Sequence, residues 1–290
     1  MSDQLSLRLE PGLPRLPEQL RPMLPRPAPE PFDSSDHLFE PSWDGERALA
    51  FIESADRGPL RLLDATGRDL AGLLPELDDL PARILARSAV IDGELVVVDP
   101  AGRSNPAALR ARLRGEPGPA VAYLVFDILV LDGRPLLGEP LWRRRDALRR
   151  TLTPGESVVA VPAIIGEGRA LHGAVRAQGI AAVMARVRTS PYLPGVRSRL
   201  WRVVASAAVH GQADGDGAAA EGDQTTARDI ERQGSFDLTK AGADVGAEKR
   251  DEKAQAGAAP GDAQRPSTGV SPAAAPVLAV FRRLPFDDEA

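Results

Sequence analysis

Between residues 35 and 205, apolar positions recur in short runs broken by turn residues. Arg47-Ala-Leu-Ala-Phe-Ile52 reads as a strand, Leu60–Leu63 as its hairpin partner, and Gly67 as a turn. Leu70, Leu73, Leu74, Leu77 and Leu80 recur at helical spacing, which predicts a helix over 70–80. Residues 89–98 form a bulged strand or a strand pair, and 105–114 a helix. Residues 121–131 make a buried strand closed by the Asp132-Gly133 turn. A basic amphipathic helix over 142–152, a strand over 158–165 and a helix over 168–178 come next. Strands over 180–188 and 201–204 complete the series. Helices and strands interleave, yet several strands pair locally, so the expected class is α+β with mostly antiparallel sheets.

Outside this stretch the pattern fades. Residues 1–34 carry Pro at 11, 14, 17, 22, 25, 27, 29 and 31, and read as an extended arm laid on the domain 35–205. Residues 206–275 are Ala, Gly, Asp, Glu, Gln and Ser with few large apolar side chains. The expectation is a disordered linker. Residues 276–290 turn apolar again over Val277–Phe286. They read either as a strand that docks back or as a short segment that binds a protein partner.

Composition narrows the chemistry. With no cysteine there is neither a disulfide framework nor a thiolate metal site, and His37, His172 and His210 stand apart from one another. No run reaches transmembrane length and no secretory leader is legible, so a soluble, cytoplasmic protein without membrane contact is expected. Residues 1–205 hold 27 Arg against 26 Asp and Glu, which is not the basic footprint of a nucleic-acid binder, so DNA contact is not evident from charge. Arg143–Arg145 with Arg149 and Arg150 read as a solvated helix face, with phosphate contact the alternative. Lysine occurs only at Lys240, Lys249 and Lys253.

Single motifs here are weak, but their order is not. Arg21-Pro-Met-Leu24, Glu40-x-x-Trp-Asp-Gly-x-Arg47, Thr66-Gly-Arg-Asp69, Asp92-Gly-Glu94 and Phe126-Asp127 follow one another. Val183-Met-Ala-Arg186 and Ser190-Pro-Tyr-x-Pro-Gly-x-Arg-Ser198-x-x-Trp201 close the series. Together, over about residues 20–205, they resemble the adenylation domain of ATP-dependent DNA ligases of the bacterial end-joining type. The resemblance implies a nucleotidyltransferase domain (an ATP-grasp-like ligase adenylation fold) with two antiparallel sheets flanked by helices and an ATP-sized cleft between them. It implies that a lysine amine attacks the α-phosphate of ATP, with Mg²⁺ and further lysines neutralising the phosphates.

By the same resemblance, Glu40 lies beside adenine and Arg47 near the ribose and phosphates. Glu94 serves the ribose or a metal, Phe126 stacks on adenine, and Arg186 stands where a lysine is expected. Ser42 occupies the nucleophile's position. Val203 and Ala205 stand where two further lysines are expected, and the oligonucleotide-binding barrel that should follow is replaced by the polar tail. A serine hydroxyl is a weak nucleophile without a base. The expectation is therefore a degenerate ligase homologue in DNA repair or recombination that holds ATP, with Mg²⁺, non-covalently. The alternatives are an active divergent ligase or nucleotidyltransferase, and a non-enzymatic scaffold that recruits a partner through Val277–Phe286.

Overall fold

In the computed structural model, alternating apolar residues on two sheets meet face to face. The structure describes residues 13–53, 59–206 and 273–286. These all lie within the unit Met1–Val209 with Val270–Ala290. In chain order the elements are β1 (Leu24–Pro27), β2 (Ser34–Ser42), β3 (Glu46–Glu53), β4 (Arg61–Asp64), β5 (Ser88–Val96), α1 (Pro106–Leu113), β6 (Ala122–Leu131) and β7 (Arg134–Pro135). They continue with α2 (Leu141–Thr151), β8 (Val158–Ala160), β9 (Ile164–Gly166), α3 (Gly168–Ala177), β10 (Ala182–Val187), β11 (Arg197–Ala205) and α4 (Ala275–Phe281).

One sheet runs β1-β11-β10-β2-β9 and the other β4-β3-β5-β6-β7, with β8 also on β6. Pairing is antiparallel except for β1 with β11 and β6 with β8. This is the expected α+β nucleotidyltransferase architecture. One apolar cluster joins the two sheets through Val90, Val96, Leu124, Phe126, Val183, Ala185 and Trp201. A second lies on the other side of β5 and β6. There Ile91, Leu95, Tyr123 and Val125 meet Leu70, Leu74, Leu77, Leu109 and Leu148. No described helix is long and apolar enough to cross a membrane.

Three expectations change. Residues 70–80 are not one helix but part of three short 3-10 turns, Ala71–Leu73, Pro75–Leu77 and Leu80–Arg83. Pro75 and Pro81 each remove a backbone donor, so the leucines reach the core from separate turns. The stretch 158–165 divides between the two sheets, as β8 and the start of β9, across Pro162. Within 1–34, residues 24–27 are a strand of the first sheet, and the Met23 N–H donates to Tyr192 Oη at 3.0 Å. The expected linker lies outside the described residues, except for Ser206 and 273–275.

The C-terminal segment is a helix rather than a strand, and it folds back on its own domain. Ala274, Val277 and Val280 are fully buried in the inter-sheet cluster. Phe281 meets the Trp43 ring edge-on at 5.8 Å. Gly102, at φ +86°, has no room for a side chain because Val280 lies directly against it. Of the segment Val277–Phe286, Val277, Val280 and Leu284 are thus buried against the domain, while Leu278 stays exposed.

Candidate functional site

The site gathers where β2, β3, β5, β6, β10 and β11 converge. Period-2 alternation sends Glu40 and Ser42 of β2 to one face, and likewise Asp92 and Glu94 of β5. The tight link from β2 to β3 needs Asp44 in the left-handed region (φ 55°). It also needs a glycine at 45, where any Cβ would collide with the Leu95 carbonyl. Trp43 faces away from this link into the core. Its indole N–H donates to the Gly102 carbonyl at 2.7 Å.

Arg47 forms a bidentate pair with Asp92, at 2.5 and 2.6 Å, and Tyr192 Oη donates to the same carboxylate at 2.7 Å. Burial works against the Arg47 charge. The Asp92 carboxylate more than offsets it, so the guanidinium is held above its ordinary value. Phe126 lies edge-to-face with Trp201, ring centroids 6.3 Å apart. Two guanidiniums attend this aromatic pair. Arg47 Cζ lies 4.5 Å from the Phe126 centroid and Arg186 Cζ 4.1 Å from it. Arg186 is also 4.6 Å from Trp201.

Glu40 is buried and ion-paired with both Arg145 of α2 and Arg186 of β10. Arg145 additionally donates to the carbonyls of Phe126, at 3.0 Å, and Val161, at 2.6 Å. Burial pushes both guanidiniums down, Arg145 to about 10 and Arg186 to about 9, which leaves both charged at neutral pH. Behind this group Arg144 and Asp127, both wholly buried, form a second bidentate pair at 2.9 and 2.8 Å.

Glu94 accepts the Gly45 N–H, and the Ser42 hydroxyl donates to its other oxygen at 3.4 Å. Burial pushes the Glu94 carboxyl up, against the pull of the Gly45 and Trp43 N–H groups. Among the described residues no three His, Cys, Asp or Glu side chains gather to hold a metal.

Glu40, Ser42, Arg47, Glu94, Phe126 and Arg186 are therefore brought to one locale. Where the resemblance expects adenine to stack, the guanidiniums of Arg186 and Arg47 lie over the Phe126 ring. The two best-formed cavities of the described residues hold about 10 and 30 Å³, and none of these six residues lines either. Sequence reasoning used Tyr192 and Trp201 only as motif positions and assigned them no part in the site. Arg143–Arg145 was read as a solvated face. In fact Arg143, Arg149 and Arg150 are exposed, paired with Glu139 or Asp146, while Arg144 and Arg145 are buried. The signal was present: 141, 144, 145 and 148 form one helical stripe with Leu at both ends.

Comparison with known proteins gives the same picture. Residues 22–203 match the family described as ATP dependent DNA ligase domain. The chain is 35% identical over 168 residues to the multifunctional non-homologous end joining DNA repair protein LigD of Mycobacterium tuberculosis H37Rv, covering 58% of this chain and 21% of that protein. It is 36% identical over 177 residues to DNA ligase C1 of Mycolicibacterium smegmatis, covering 55% of this chain and 49% of that one. It thus spans about a fifth and about half of these relatives. Among solved structures, a mycobacterial DNA ligase D complexed with ATP and MES superposes with a TM-score of 0.55 at 30% identity, over 65% of this chain and 60% of that one. The ligase domain of M. tuberculosis LigD also gives 0.55, at 32% identity over 64% and 59% of the two chains. The chain belongs to the ATP-dependent DNA ligase family.

Proposed function

We propose that this domain keeps the adenosine-recognising side of a ligase and has lost the covalent step. It binds an adenine nucleotide reversibly and acts in DNA repair or recombination without sealing nicks itself. The observation that carries this is Ser42 at the end of β2, in a chain with no lysine before Lys240. A lysine amine forms a phosphoramidate whose P–N bond is labile enough to pass AMP onward. A serine ester of AMP is an ordinary phosphodiester and too stable for that step. Arg47, Glu94 and Phe126 would hold ribose, phosphates and base, with Glu40 beside the base. ATP would supply the adenosine and the phosphates that bind Mg²⁺. The test is an equilibrium titration with ATP beside a sealing assay on a nicked, 5′-phosphorylated duplex. Millimolar or tighter binding with no sealing is expected, and sealed product would contradict it.

One contact favours a second reading, in which the domain adenylylates itself. The Ser42 hydroxyl lies 3.4 Å from Glu94, whose carboxyl is shifted toward the neutral range. Ser42 Oγ would attack the α-phosphate, Glu94 would take the hydroxyl proton, and pyrophosphate would leave as the O–P bond forms. A stable adenylyl mass on Ser42 that disappears in Ser42→Ala would establish it.

A further inference from the structure

Glu40 is served by two arginines that differ in how they are held. Arg145 has three acceptors: the Glu40 carboxylate and the carbonyls of Phe126 and Val161. Arg186 has Glu40 as its ion-pair partner and two aromatic rings beneath its guanidinium, while its buried Nε and Nη1 make no hydrogen bond among the described residues. Arg145 is therefore an anchor, whereas Arg186 can leave without stranding the Glu40 charge, because Arg145 stays behind. Removing both partners would leave a buried carboxylate uncompensated, whereas removing one of two leaves it paired. A planar guanidinium is suited to lie flat on an aromatic face, as a nucleobase does. A lysine at this position could pair with Glu40 but could not cover the ring in the same way.

On the reading that the Phe126 face is the adenine shelf, we propose that Arg186 is its built-in occupant. The side chain lies over Phe126 and pairs with Glu40, while Arg47, also over the ring, is fixed by its bidentate pair with Asp92, so a nucleoside enters only after Arg186 swings away. The apparent affinity for any adenine compound is then reduced by the fraction of molecules in which the shelf is open. The residue thereby sets how much nucleotide the domain holds at a given concentration. A guanidinium that competes with the base acts alike on adenosine and on ATP. One that grips phosphate acts on ATP alone.

The test is calorimetric titration of adenosine and of ATP into the full chain, as wild type, Arg186→Met and Arg186→Lys. Arg186→Met should bind both compounds about tenfold tighter or more, and Arg186→Lys should fall between. Phe126→Ala added to Arg186→Met should erase the gain, which places the effect at the base. Equal affinities in wild type and Arg186→Met would overturn the plug while leaving the shelf intact. Weaker ATP binding by Arg186→Met with adenosine unchanged would overturn it too, by making Arg186 a phosphate ligand. No binding of either compound by any variant would remove the shelf, and the plug with it. If Arg186→Met does not fold, the lysine variant decides by the same comparison.

Discussion

Two regions meet at the end of β2 and are built in opposite ways. On one side lie Glu40, Arg47, Asp92, Asp127, Arg144, Arg145 and Arg186, a buried set of charges in which every carboxylate faces a guanidinium. On the other lies an apolar seam, where α4 presses Val277, Val280 and Phe281 against Gly102 and Trp43. The two are a few residues apart in sequence: Glu40 belongs to the first and Trp43 to the second. Buried ion pairs contribute little net stability, since desolvation offsets much of their attraction, but they fix geometry and are costly to break on one side only. Apolar burial stabilises directly, roughly in proportion to the area removed from water. On the proposed function the charged region is the part that would recognise a nucleotide, and the seam braces the link that follows Ser42 at the end of β2.

Breaking each region at one residue sharpens the contrast. The largest loss is expected from Asp127→Ala, which strands the wholly buried Arg144 and should cost about 4 kcal/mol in urea unfolding. Val280→Asp puts an unpaired carboxylate under α4 and should cost about 3 kcal/mol. If removing residues 275–290 left the melting temperature unchanged, α4 would not be part of the fold. Gly102→Ala forces a left-handed backbone and a clash with Val280, for about 2 kcal/mol.

The smallest effect should come from pH. Burial, reinforced by Arg202, lowers the His37 pKa below its ordinary value of 6.5. The unfolded chain therefore binds the proton more tightly than the folded one. Stability contributed by neutral His37 is present above 6.5 and is lost as pH falls through the folded value. The difference in melting temperature between wild type and His37→Gln should shrink or reverse sign across that interval. A difference independent of pH would show that His37 does not titrate in the fold.

Much of the two sheets was legible in the sequence. Strands β3 to β6 and helices α1 to α3 follow from apolar periodicity and from turns such as Asp132-Gly133. The strand β2 was not, because Pro41 and the polar run Ser34–His37 hide its alternation. Helix α4 was readable only as an apolar segment, since its helical state depends on Pro276 in the first turn and on the surface it covers. The charged site was half legible. Motif order brought Glu40, Arg47, Glu94, Phe126 and Arg186 together. That Arg186 lies on Phe126 depends on long-range pairing between β10 and β2, which no local pattern encodes.

The most direct measurement is the intact mass of the full chain after incubation with ATP and Mg²⁺, beside Ser42→Ala. An unchanged mass in both, together with reversible nucleotide binding, is the expected result. One adenylyl group on the wild type, absent from Ser42→Ala, would contradict the loss of the covalent step.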